Sequence, residues 1–200
     1  SSYQIITAEN GKQGLELAIE SIPDLVVSDL MMPVMDGQEM CKQMKTDERT
    51  NHIPVVMLTA RADRESKIEG LETGVDDYII KPFDAEELQV RIKNLIEQRN
   101  KLREKFRKEF FTPDKMEISI TQNDQFIQKL FELFEENYSD FDFSVEDMGR
   151  KLHMSRTHFF RKVNAITGES PNELLRGYRM KKAAALIHSG ENNIIGIMYE

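Results

Sequence analysis

At 200 residues the chain is longer than the roughly 100–150 of a typical domain, and its length suits two. A composition of 40% hydrophobic and 31% charged residues excludes collagen-like and disordered classes. The single cysteine, Cys41, excludes an internal disulfide framework, and without a His/Cys cluster at ligand spacing no structural zinc site is expected. No run approaches the roughly 18 apolar residues of a membrane span and no basic-then-apolar signal opens the sequence, so the segment is expected to be soluble and intracellular. Net charge is −8 but unevenly spread: residues 114–149 carry 2 basic and 10 acidic side chains, and residues 150–182 carry 9 basic and 2 acidic. A local excess of that size can grip phosphate, because charges beyond a Debye length of about 8 Å are largely screened.

Tyr3–Ala8 reads as a short strand and Gly11–Ser21 as a helix. Asp24–Asp29 is a β-rich run ending in an acid, and a helix near Gln38–Lys45 precedes the apolar run Ile53–Thr59. A further helix near Arg64–Thr73, closed by Gly74, precedes Tyr78–Pro82. The last helix of this half starts after Asp84, an N-cap with Glu87 three residues on. Apolar strands alternating with amphipathic helices predict a parallel sheet covered on both faces, with its chemistry at the carboxyl ends of the strands. Asp29, Thr59 and Lys81 should converge there. A carboxylate can take a phosphoryl group as nucleophile, and a hydroxyl and an ammonium can hold the transferred oxygens. Taken singly, each also fits a capping or solvated side chain, and Tyr78 a half-buried strand aromatic.

The runs Asp29-Leu30-Met31-Met32-Pro33-Val34-Met35-Asp36-Gly37, Leu58-Thr59-Ala60 and Tyr78-Ile79-Ile80-Lys81-Pro82-Phe83 resemble the receiver domain of two-component response regulators over about residues 3–100. The resemblance implies an α/β doubly wound (flavodoxin-like) fold, with Asp29 as phosphoacceptor, Thr59 as switch hydroxyl, Tyr78 as switch aromatic and Lys81 as phosphate-binding lysine. It implies a cis Lys81–Pro82 bond as well. The sequence enters that pattern at its second strand, so the first strand, central in the 2-1-3-4-5 order, and its helix are lacking and a gap in the sheet is expected. The acidic pair that holds Mg²⁺ in the family is lacking with them. Asp29 and the Met31 carbonyl remain as ligands, and Mg²⁺ is expected to be weak or absent here.

Leu88, Ile92, Leu95, Leu102 and Phe106 form a short a/d-like seam interrupted by Arg99. It fits a weak coiled coil or a helix packed on its own domain. Phe110–Pro113 should end that helix. In the second half, Phe126, Ile127, Leu130, Phe131 and Phe134 line one stripe of a helix over 124–137. Ser144 with Asp147 opens a short helix, and a break at His153–Met154 precedes a helix over Arg156–Thr167, capped by Ser155 and closed by Gly168. Ser170-Pro171-Asn172-Glu173 starts another helix, expected to reach Gly190. Two short helices about three residues apart suit a helix-turn-helix. In its second helix Phe159, Val163 and Ile166 should pack inward, while Arg156, Thr157, Phe160, Arg161 and Asn164 face out, residue types that can read bases. A solvated basic face is the plain alternative. Lys162, Arg176, Arg179, Lys181 and Lys182 read as phosphate contacts or surface charges.

Met154-Ser155-Arg156, Phe159-Phe160-Arg161-Lys162, Thr167–Pro171 and Arg179–Ala184 resemble the DNA-binding domain of AraC-type transcription activators, with Thr157, Phe160 and Arg161 at base-facing positions. Of that family's second helix-turn-helix only the opening, Asn193–Glu200, is present. The organisation expected is a receiver over 1–100, a helical connector over 101–123 and a separate all-α helix-turn-helix domain over 124–200. The function implied is a phosphorelay response regulator that binds promoter DNA as a transcription factor, is not an enzyme, and dimerises when active through the face of the pattern's fourth helix, fifth strand and fifth helix. Its partners would be a histidine kinase or phosphotransfer domain and promoter DNA, with RNA polymerase left open. The alternative is a non-phosphorylated pseudo-receiver that regulates through protein contacts. The location implied is cytoplasmic. The domain order also resembles the C-terminal part of one-chain hybrid sensors, which leaves open a place at the cytoplasmic face of a membrane.

Overall fold

A computed structural model describes residues 3–60, 74–111 and 125–188, which fall in two compact units, 1–100 and 101–200. In the first unit, α1 (Gly11–Ser21), β1 (Val26–Asp29), α2 (Gly37–Thr46), β2 (Val55–Ala60) and β3 (Asp77–Lys81) precede the long helix α3 (Ala85–Phe111), which ends in the second unit. The three strands form a parallel sheet in the order β1-β2-β3, with Asp29 beside Leu58 and Ala60 beside Lys81. Alternation along the strands gives each residue a face. Val26, Val55, Met57 and Tyr78 share one, packed with Met40, Cys41 and Met44 of α2 and Ala18 of α1. Val56 and Ile79, of opposite parity, are equally buried, and Arg91 of α3 donates to Asp77 on that side at 2.9 and 3.1 Å.

Tyr3–Ala8 does not form the strand expected of it. Its apolar spacing is right, but among the described residues no strand pairs with it. Tyr3, Ile5 and Ile6 are exposed, as is Val27 on β1, which among the described residues pairs with β2 alone. The helix expected near Arg64–Thr73 lies outside the described residues, while Gly74, which was to close it, holds φ +78°. The Lys81–Pro82 bond is cis.

The second unit packs the end of α3 with α4 (Gln125–Asn137), α5 (Val145–Lys151), α6 (Arg156–Thr167) and α7 (Pro171–His188). Phe110, Leu130, Phe134, Met148, Phe159, Val163 and Leu174 form its core. The helix ends are chemically specified. Ser144 and Asp147 form a reciprocal capping box, Ser155 accepts from the His158 amide, Ser170 and Glu173 repeat the box, and Gly168 closes α6 in the left-handed region. Each such cap contributes about 1 kcal/mol. The stretch 101–111 is part of this unit, and the expected opening of a second helix-turn-helix at Asn193–Glu200 lies outside the described residues. No helix among those described is long and apolar enough to cross a membrane.

The expected seam of α3 holds at Leu88, Ile92, Leu95 and Phe106, all half-buried, and fails at one position. Leu102 is exposed, and the inner stripe instead includes Arg99 and Arg103, which donate to the backbone carbonyls of Asp24 (3.1 Å) and Ala165 (2.7 Å).

Candidate functional sites

Asp29 and Lys81 end β1 and β3 with the same parity, one strand apart, and the Lys81 ammonium donates to Asp29 Oδ2 over the end of β2. The backbone amide of Met31 donates to Asp29 Oδ1 at 3.3 Å. Both side chains stay partly open, at 38% and 41% exposure. Burial alone would push the Asp29 carboxyl up. The Lys81 hydrogen bond, the Met31 amide and the lysine's charge outweigh it and hold the carboxyl below the usual aspartate value.

Thr59 is set apart from this pair. It has the opposite parity in β2, is buried at 4% exposure, and its hydroxyl donates to the Ala60 carbonyl at 3.3 Å. Tyr78 is half-buried in β3 and packs against the cluster around α2. The loop between β1 and α2 is pinned at its ends, Leu30 N to Leu58 O at 2.9 Å and Gly37 N to Leu30 O at 3.0 Å, with Met31 and Val34 exposed at its crest.

Gly37 has a positional role that residue chemistry alone does not announce. A Cβ there would lie 2.1 Å from the Asp29 carbonyl oxygen and 2.9 Å from Ser28 Oγ, so only glycine lets α2 start against the backbone of Asp29. Its place eight residues after Asp29 in the quoted run was the available signal.

The residues present do not make up a Mg²⁺ site. Among the described residues no group of three or more His, Cys, Asp or Glu gathers where it could hold a metal ion, and both Asp29 oxygens accept hydrogen bonds from the protein. With the single carboxylate of Asp29, most of the octahedral oxygens that Mg²⁺ demands would have to be waters.

In the second unit, Arg156, Thr157, Phe160, Arg161 and Asn164 are all exposed on α6, opposite the buried Phe159 and Val163. Gly149 of α5 sits close beneath, where a Cβ would meet the Met154 carbonyl oxygen at 3.0 Å and Phe159 Cβ at 3.5 Å, and His153 turns the chain at φ +56°. Arg176 is exposed on α7. The other basic residues read as phosphate contacts or surface charges are spent inside the fold. Lys162 is 1% exposed with its ammonium 4.2 Å from the Phe126 ring centroid. Arg179 donates to the carbonyls of Tyr138 and Asp140, Lys181 lies over Phe110, and Lys182 donates to Glu135.

The first unit is thus a parallel α/β unit with an acid–lysine pair at its strand ends. Residues 1–93 match the family model of the response regulator receiver domain, and this half of the chain is a receiver domain with response regulator homologues. Over 199 residues the chain is 42% identical to histidine kinase P4 of Formosa agariphila, an alignment covering 99% of this chain and 14% of that protein. It is 41% identical over 102 residues to the DNA-binding dual master transcriptional regulator RpaA of a Synechocystis species, covering 51% of this chain and 42% of that one. The chain therefore spans less than half the length of these curated relatives. Among solved structures it is similar to the receiver domain of the sensor histidine kinase PA1611 from Pseudomonas aeruginosa, solved with a magnesium ion in its active site cleft. There the identity is 28% and the TM-score 0.44, over 48% of this chain and 78% of that one.

Proposed function

We propose that this chain is the receiver and DNA-binding part of a phosphorelay response regulator, with Asp29 as phosphoacceptor and α6 as the DNA-reading helix of an AraC-type helix-turn-helix. The observation that carries it is the Asp29–Lys81 pair, which meets over the end of β2 from the strands on either side of it in a receiver domain. A carboxylate oxygen of Asp29 attacks the phosphorus of a phosphohistidine, the P–N bond breaks, and the freed imidazole takes up a proton as the aspartyl phosphate forms. Lys81 then faces the new phosphate oxygens in place of the carboxylate. The phosphoryl donor is a histidine kinase or phosphotransfer domain. The likeness to a histidine kinase over nearly the whole chain favours a donor carried in the same polypeptide. Thr59 and Tyr78 answer the phosphate, and the change promotes pairing of two copies on adjacent DNA half-sites in the cytoplasm.

On α6, Arg161 and Arg156 are suited to guanine edges, Phe160 and Thr157 to thymine methyls and Asn164 to adenine. Incubation with a phosphohistidine-bearing transfer domain is expected to label the chain and not its Asp29→Asn variant. A duplex selected from a randomised library is expected to bind with a steep salt dependence, and Arg161→Ala to weaken that binding and relax base preference at one position with the salt slope little changed.

A second reading is a pseudo-receiver that acts through protein contacts; among the described residues no group of three or more His, Cys, Asp or Glu gathers where it could hold a metal ion. Absence of label from the intact chain, with duplex binding retained, would select it.

A further inference from the structure

The DNA-reading helix is held at its two ends by different parts of the chain. At its start Ser155 caps it locally. At its end the last-turn carbonyls lack helical partners, and the negative end of the helix dipole gathers there. Asn164 O is satisfied by the Gly168 amide, and the Thr167 hydroxyl adds a bond to Val163 O at 2.8 Å. Ala165 O is satisfied from another helix: Arg103 of α3 donates its Nε to it at 2.7 Å, bringing a cation to the end of the helix that favours one. One turn on, Arg107 Nε lies 2.8 Å from Oε1 of Glu169, a residue only 9% exposed, in the corner between α6 and α7. The stem of Arg103 runs past Gly168, where an added Cβ would meet it at 3.6 Å.

The same stretch of α3 is anchored on its other sides. Phe106 stacks on Phe110 at 5.7 Å, and both meet Phe131 of α4, at 6.3 and 5.6 Å. Phe110 is 1% exposed and lies against Gly177 of α7. A segment of helix fixed by buried rings and gripping the end of α6 with two guanidiniums cannot turn without moving α6, because packed interfaces shift as units. The stretch of α3 from residue 101 to 111 lies in the same compact unit as α6.

We infer that Arg103 and Arg107 are positioning residues for the DNA-reading helix, a clasp through which α3 sets the placement of the α6 face on DNA. This rests on the reading of α6 as that helix. Neither arginine needs to touch DNA: the clasp acts on the opposite end of α6 from Ser155, through Ala165 and Glu169. It predicts that affinity depends on the pairing of residues 107 and 169 rather than on the charge at either position.

The test uses the full chain carrying Arg107→Glu, Glu169→Arg, or both. Amide hydrogen exchange over residues 164–170, without DNA, reports the clasp itself. Binding to a duplex selected from a randomised library reports its consequence. Each single variant is expected to speed exchange at this corner and to lose about tenfold in duplex affinity at an unchanged salt slope, a coupling of the usual size. The double variant, with the charges exchanged, should recover both to within about twofold. Unaltered exchange in the single variants, or a double variant as weak as the singles, would overturn the clasp. If the unmodified chain selects no duplex at all, the DNA reading falls and the exchange arm alone decides whether the corner is clamped. A merely structural role would lower thermal stability in both single variants without the paired recovery of affinity.

Discussion

Lys81 donates to Asp29 across the full width of β2, joining the ends of two strands that are not themselves paired. The geometry follows from parity: Asp29 sits beside Leu58 and Lys81 beside Ala60, two residues apart on the same face of β2. A pair this exposed adds little to stability, with exposed ion pairs contributing about 0–1 kcal/mol. Its value is electrostatic, a cation already aimed at the oxygens where negative charge would accumulate. Lys81→Met is therefore expected to slow phosphoryl transfer to Asp29 by about 10²-fold, the usual cost of removing one such donor, while the urea midpoint of unfolding stays nearly unchanged. Rates of label transfer measured beside unfolding curves check this. A large stability loss with unaltered transfer would contradict it.

The same pair gives a pH signature. The Asp29 carboxyl is held below its ordinary value in the folded chain, so the unfolded state binds a proton first as pH falls. The contribution of this group to stability is present above the ordinary aspartate value and is lost as pH drops below about 4 and through the lowered folded value. Asp29→Asn removes the group, and its unfolding free energy should fall less steeply than that of the unmodified chain over that acid range. Denaturant unfolding at a series of pH values, compared between the two proteins, measures the difference in slope.

Much of the fold is legible because local rules decide it. Ser144 with Asp147, Ser155, Ser170 with Glu173, and Gly168 mark helix ends by hydrogen bonds within four residues, and each sits where its spacing predicts. The strand ends at Asp29 and Lys81 are equally legible, since the acid and the lysine close apolar runs. What spacing cannot convey is the use of a cation by a distant carbonyl or carboxylate. Arg99 breaks an apolar seam on paper, yet it and Arg103 lie on the inner stripe of α3 because Asp24 and Ala165 offer carbonyls there. Lys162 and Lys182 look like phosphate contacts until Phe126 and Glu135 are found beside them. Tyr3–Ala8 fails for a related reason: its alternation is sound, but a strand exists only where a neighbour pairs with it.

Gly177 sets two effects against each other. In the middle of α7, alanine would gain about 1 kcal/mol of helix propensity over glycine. Its Cβ, however, would lie 2.8 Å from the ring edges of both Phe110 and Phe111. Phe110 is fully buried among Phe106, Phe131 and the α4 aromatics, so it has no room to retreat. Overpacking of this kind costs about 1–3 kcal/mol, which exceeds the propensity gain. Gly177→Ala is expected to lower the melting temperature of the chain, and calorimetry decides it. A rise would show that the rings shift freely.

Tyr178 closes a three-residue network on the other side of α7. Its hydroxyl donates to Glu135 Oε2, while Lys182 Nζ donates to Oε1 at 2.6 Å and lies 5.7 Å from the Tyr178 ring centroid. Burial raises the phenol's ionisation well above its ordinary value, and the accepting carboxylate and its charge raise it further. Because the folded value is the higher one, the stabilisation is present below about pH 10 and is lost as pH rises toward the folded value. Of the five tyrosines, this one should stay un-ionised in an ultraviolet titration through the range where exposed phenols titrate, and it should ionise only as the second unit unfolds. Tyr178→Phe should remove that delayed step and flatten the alkaline fall in stability. Lys182→Met should leave the step in place, since the hydroxyl keeps its acceptor. A titration in which all five phenols ionise together would show that the Glu135 hydrogen bond does not hold in solution.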